Sequence, residues 1–218
     1  LLAIFKGAGH LFQMFLSIPY GAGVGVTLVI VVLYTSVGGF VSVVRTDVLQ
    51  GILMLLGSVM IFYFVTQAAG GITSISALRA IPEKQFLFEL NGGIPFAVLL
   101  GVSLSGSLKL LSDPRQLSRF YALKDEAAVR HGKWIATLGL AIVLSCLFPV
   151  GIYTHLILPE VTDTDLIVPS LVSDPSVFPL WASDFLIIAI LAAAMSSMDS
   201  VLLVAASTLC RNVVAPFS

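Results

Sequence analysis

Charge is what this sequence has least of. Only 11% of its 218 residues are Asp, Glu, Lys or Arg, against 58% hydrophobic, which leaves too little polar surface to cover a water-soluble domain. Eleven basic residues nearly balance twelve acidic ones, so there is no basic face of the kind a phosphate backbone needs, and nucleic acid is not an expected partner. Cysteine is almost as scarce: Cys146 and Cys210 sit in apolar runs without metal-ligand or redox spacing and read as small packing residues. Ser and His occur without a third group at a catalytic spacing, so the chain is not expected to be an enzyme. The opening LLAIFKGAGHLFQMF has no initiator Met, charged leader or small-residue cleavage site. It reads as the inside of a helix, and APFS follows an apolar run at the other end, so the chain is expected to be a piece of a longer protein.

Long apolar runs fill the rest, and they predict an all-α integral membrane protein, a single transmembrane domain over 1–218 with about six spans. The expected spans are 1–18, 22–44, 48–67, 94–111, 134–157 and 183–210. Pro19 and Gly21 end the first, and Arg45, Thr46 and Asp47 interrupt the apolar run between the second and third. Glycines and isolated charges mark 70–93 as a loop with a short helix around 75–81. Residues 112–133 form a basic connector, and 158–181 an acidic loop holding Glu160, Asp163, Asp165 and Asp174. Arg45, the cluster from Arg115 to Lys133, and Arg211 all fall on one side, which the positive-inside rule makes cytoplasmic. Lys6 and Lys109 reach the interface from helix ends, and His10 and His155 read as packing or interfacial residues.

Two stretches carry candidate chemistry. In IAILAAAMSSMDSVLLVAASTLC, Ala193, Ser196, Ser197 and Ser200 are spaced three, four and seven apart and share one helix face. That stripe fits two readings: hydroxyl and carbonyl oxygens for a hard cation, or a small-residue helix interface with serines bonded back to the preceding turn. Asp199 favours the first, because an intramembrane carboxylate is expensive and marks a functional site by default. Asp47 supports it more weakly, lying near a helix end beside Arg45. The second stretch is Ser103, Ser105, Gly106 and Ser107, whose weak helix propensity predicts an interrupted span. Such breaks line binding sites in transporters, although a kinked packing helix accounts for the same residues. Ser105, Gly106 and Lys109 are the candidate solute-binding residues.

These residues fall in a familiar order. LYTSVGGFVSVVRTDVLQGILMLLG (33–57) resembles the YT-x-x-GG-(x)n-TD-x-x-Q signature of the sodium:solute symporter family, and AAAMSSMDSVLLVAAS (192–207) is similar to that family's sodium-site helix. DPRQLSRFYALKD (113–125) and VTDTDLIVPSLV (161–172) resemble counterparts in its pantothenate and proline branch. The resemblance implies a five-plus-five inverted-repeat fold of the leucine-transporter type, with this chain supplying core helices three to eight. It places Ala193, Ser196 and Ser197 on the common sodium site, and Asp47, Ser197, Asp199 and Ser200 on or beside a second one. Na+ would be the coupling ion. The other partners are a small-molecule solute, the bilayer of the cytoplasmic (inner) membrane, and the remaining helices of the parent, which complete the site. Lys109, Leu110 and Leu111 stand where sugar-carrying relatives have aromatics, which favours a carboxylate-bearing or amino-acid-like solute over a sugar. Rival readings are a sensor module of a signalling protein, a proton-coupled carrier with Asp199 titrating, and an intramembrane hydrolase using Asp47 and Asp199.

Overall fold

The computed structural model describes residues 17–89, 94–158 and 167–215, together with Gly7, Gly9, His10, Phe12, Gln13, Phe15 and Gly92. Most of the expected first span, Lys6, and the loop residues Glu160, Asp163 and Asp165 lie outside this set. Among the described residues every regular element is helical. α1 (Tyr20–Ala68) is followed by a 3-10 turn (Ile72–Ser74), α2 (Ile75–Leu78) and a 3-10 segment (Pro82–Phe88). Next come α3 (Phe96–Ser112), α4 (Pro114–Tyr121), α5 (Glu126–Ile157), α6 (Ile167–Ser173) and α7 (Leu180–Leu209), which runs on through one π-helical turn, Cys210–Val214. Among the described residues three helices, α1, α5 and α7 with its π turn, are long and apolar enough to cross a membrane; α3 and α4, bent by 46°, make a fourth when taken as one broken span. This is the helical architecture of a multi-pass membrane protein.

The expected second and third spans fall in two helical limbs joined at a kink within α1, and the break is not where the charges are. Arg45, Thr46 and Asp47 lie inside α1, and Thr46 Oγ1 donates to the carbonyls of Ser42 (3.1 Å) and Val43 (2.9 Å), staying within the helix. The helix breaks instead at Gly39, whose φ of 57° and ψ of −155° occupy a region that is essentially glycine-only. The limbs on either side are 20–38 and 40–68. Gly38 is needed for a different reason, since a Cβ there would collide with the Ser42 side chain. At Gly39 a Cβ would meet nothing within 4 Å, so Gly39→Ala acts through the backbone alone. It is expected to lower stability by about 1–3 kcal/mol, read by thermal unfolding of the detergent-solubilised protein. An unchanged melting curve would refute this backbone conformation.

The predicted interruption at Ser103–Ser107 is also displaced. α3 is continuous, and Ser107 Oγ donates to the Ser103 carbonyl at 2.8 Å, which satisfies the hydroxyl without opening the helix. The bend comes at Asp113, held extended (φ −70°, ψ 117°) by the proline after it. Asp113 then caps α4 by accepting from the Arg115 N–H. α5 starts eight positions before the expected 134 because Asp125 caps it, accepting from the Ala128 N–H at 2.7 Å.

The chain divides into two compact units, residues 62–161 and residues 1–61 with 162–218. In the first, the segment after α1 folds onto the end of α5: Tyr153 Oη donates to the Ile72 carbonyl at 3.0 Å, Lys84 Nζ lies 3.0 Å from His155 Nδ1, and Leu78 is fully buried. His155 thus has a specific contact beyond packing. In the second unit, Leu171 and Val172 of α6, Phe178, and Ala182 and Leu186 of α7 are all buried.

Candidate functional site

The site is built on one face of α7. Ala182, Leu186 and Ala189 are buried at spacings of four and three, and the same rhythm continues through Ala193 and Ser196 to Ser200. Opposite lies α1. A Cβ on Gly57 would sit 2.9 Å from Ala189 Cβ, so the two helices approach closely here because both residues are small.

Further along α7 the contacts turn polar. Ser196 Oγ donates to Asp47 Oδ1 at 2.6 Å, joining α7 to the 40–68 limb of α1. Tyr34 Oη donates to Asp199 Oδ1, joining α7 to the 20–38 limb. Asp199 is 0% exposed, beside a core of Val31 and Met198 that Tyr34, Ala194, Met195 and Leu202 pack against. Gln50, also buried, lies near the Tyr34 hydroxyl. Two carboxylates widely separated in sequence are thereby drawn into one network, each taking a hydroxyl proton from another helix. In a low-dielectric setting such charge-assisted bonds are strong, and losing one partner is costly.

The three serines and the alanine of the stripe do not share one fate. Ser200 Oγ donates back to the Ser196 carbonyl at 3.0 Å, which is the helix-interface behaviour. Ser196 bonds outward to the carboxylate, so its lone pairs face away from its proton and are available to a cation. Ser197 and Ala193 are half-buried beside it, and the Ser197 hydroxyl makes no hydrogen bond among the described residues. No three His, Cys, Asp or Glu side chains converge among the described residues. The oxygens on offer are two carboxylates, hydroxyls and carbonyls, which suit a hard cation.

Ser105, Gly106 and Lys109 are exposed on α3, in the other unit, and a Cβ at Gly106 would meet nothing within 4 Å. Tyr34 and Gln50 join the site without having stood out as candidates in the sequence, although both occupy the YT and TD-x-x-Q positions of the 33–57 stretch. Motif position was the only signal for them.

The family description "Sodium:solute symporter family" matches residues 1–217. The sodium/pantothenate symporter of Haemophilus influenzae is 26% identical over 210 residues, covering 95% of this chain and 43% of that protein. The osmoregulated proline transporter OpuE of Bacillus subtilis is 31% identical over 215 residues, covering 96% and 42%. A sodium/proline symporter of Staphylococcus aureus is 29% identical, covering 95% and 40%. The chain thus spans less than half the length of each of these relatives. No solved structure matches it significantly. These relatives are transporters and not enzymes, and with a family match running from the first residue nearly to the last, the chain belongs to the sodium:solute symporter family.

Proposed function

We propose that this chain is the central part, core helices three to eight, of a sodium-coupled symporter. It works in the cytoplasmic (inner) membrane by alternating access, within a five-plus-five inverted-repeat fold. The observation that carries this reading is the Ser196–Asp47 hydrogen bond. A hydroxyl that gives its proton to a carboxylate has a more negative oxygen and keeps its lone pairs for a cation. Ala193, Ser196 and Ser197 supply one wall of a first sodium site; Asp47, Asp199 and Ser200 border a second. Helices of the parent protein supply the remaining oxygens.

Sodium bound at this wall favours the outward-facing arrangement and raises solute affinity, and by linkage the solute raises sodium affinity equally. A single charge crossing a 100 mV potential yields about 2.3 kcal/mol, so a zwitterionic solute carried with one sodium is driven by the potential. An anionic carboxylate carried with one sodium moves no net charge and needs a second ion to use the potential. A second carboxylate-lined site fits that need. Pantothenate and proline, named for the relatives, both bear a carboxylate, in keeping with a carboxylate or amino-acid-like solute; Ser105, Gly106 and Lys109 are the proposed solute contacts.

Ser197→Ala tests the reading in the full-length parent. The sodium concentration for half-maximal uptake is expected to rise about tenfold, the scale of one lost ligand oxygen at roughly 1.4 kcal/mol, with the protein still inserted. Unchanged sodium activation would sink the proposal. Uptake that persists without sodium at fixed pH and follows the proton gradient would favour a proton-coupled carrier instead.

A further inference from the structure

Tyr34 lies outside every sodium-ligand position assigned above, yet its hydroxyl is bonded to the most deeply buried carboxylate in the described structure. We infer that Tyr34 is a positioning residue for the second cation site, holding the Asp199 carboxylate in its binding orientation from the limb of α1 on the far side of the Gly39 break. This rests on the sodium-coupled reading.

Three observations converge on it. First, Asp199 has an apolar neighbour on its own helix in Met198, which is fully buried against Val31, one turn before Tyr34. In such surroundings a carboxylate takes the orientation its hydrogen-bond donor dictates, because no water competes for it. Second, the donor is itself fixed: the Tyr34 ring packs against the Val31–Met198 core, and buried Gln50 lies near its hydroxyl. Gln50 lies on the 40–68 limb, so the phenol of the 20–38 limb is bonded to α7 with the other limb near its hydroxyl. Third, the next turn of α7 toward its start carries Ser196, bonded to Asp47, so the bond from Tyr34 to Asp199 lies three residues along the same helix from the other carboxylate contact. Tyr34 presents a proton to Asp199 and, by occupying Oδ1, orients the carboxylate within the network.

The hydroxyl can be removed without disturbing the packing, since Tyr34→Phe keeps the ring. Sodium titrations of uptake by the full-length parent read the effect. Tyr34→Phe is expected to raise the half-activating sodium concentration about tenfold, the weight of one hydrogen bond to a charged group, while the maximal rate changes by less than about twofold. Gln50→Leu, which loosens the same phenol from its other side, is expected to shift sodium activation in the same direction by a smaller factor. In the Asp199→Asn background, with sodium binding read as sodium-dependent thermal stabilisation of the detergent-solubilised parent and not as uptake, Tyr34→Phe is expected to add little, because the carboxylate it orients is gone. A Tyr34→Phe protein that lowers the maximal rate or the inserted amount, with sodium activation unmoved, overturns the inference, as do full additivity with Asp199→Asn and an unmoved Gln50→Leu. Ser197→Ala run in parallel separates the two levels. If Ser197→Ala shifts sodium activation and Tyr34→Phe does not, only the positioning role fails; if neither shifts, the sodium reading itself fails.

Discussion

Asp199→Leu in the full-length transporter is expected to abolish sodium-stimulated uptake, or to raise the half-activating sodium concentration about a hundredfold, while leaving at least as much protein in the membrane. A unit charge about 4 Å from a cation is worth around 4 kcal/mol at an effective dielectric near 20, the scale of two or more orders of magnitude in affinity. Folding runs the other way. Asp199 is 0% exposed, and replacing it with an apolar residue removes the cost of holding a carboxylate away from water. The opposing term is the Tyr34 hydroxyl, which loses its acceptor at a penalty of about 1–3 kcal/mol. Function and stability should therefore separate, with uptake lost and the melting temperature within a few degrees of the parent's. Sodium titration of uptake and thermal unfolding in detergent measure the two halves. Normal sodium activation in Asp199→Leu would make the carboxylate a structural feature of the α1–α7 contact.

Gly57→Leu is the second large effect, and it acts at a distance. A single methyl at position 57 already comes within 2.9 Å of Ala189 Cβ and 3.7 Å of a Leu186 methyl. A leucine cannot fit without separating α1 from α7, and overpacking of this kind costs about 1–3 kcal/mol. The functional cost is larger, because the same two helices hold Ser196 to Asp47 at 2.6 Å. A separation of about 1 Å takes that bond beyond hydrogen-bonding range. Sodium stimulation is expected to fall at least tenfold in Gly57→Leu. Gly57→Ala combined with Ala189→Gly moves the methyl to the other helix and should restore most of it. A Gly57→Leu protein with full sodium stimulation would show that this contact does not govern the Ser196–Asp47 distance.

Much of this was legible in the residues. Scarce charge and long apolar runs set the membrane class, and the three-four-seven spacing by itself puts Ala193, Ser196, Ser197 and Ser200 on one helix face. Breaks were harder to read. Arg45, Thr46 and Asp47 looked like an interruption because hydropathy falls there, yet Thr46 bonds back into its own helix and the backbone turns at Gly39 instead. Ser103 to Ser107 looked like a weak span because Ser and Gly are poor helix formers; back-bonding keeps it helical, and Pro114 sets the bend at Asp113, past the end of the helix. In both places a polar side chain found its partner within the helix, while a residue with a restricted or unusual backbone made the break.

Composition and periodicity are properties of a single helix, and they determined that this chain is helical, membrane-embedded and furnished with one hydroxyl-bearing face. Which carboxylate meets which hydroxyl is a property of helix against helix. It depends on the rotation of each limb about Gly39 and on the close approach at Gly57, where many small packing contributions act together. Tertiary structure alone therefore decided that Asp47 pairs with Ser196 and Asp199 with Tyr34, and that Ser200, on the same face, bonds back to its own helix.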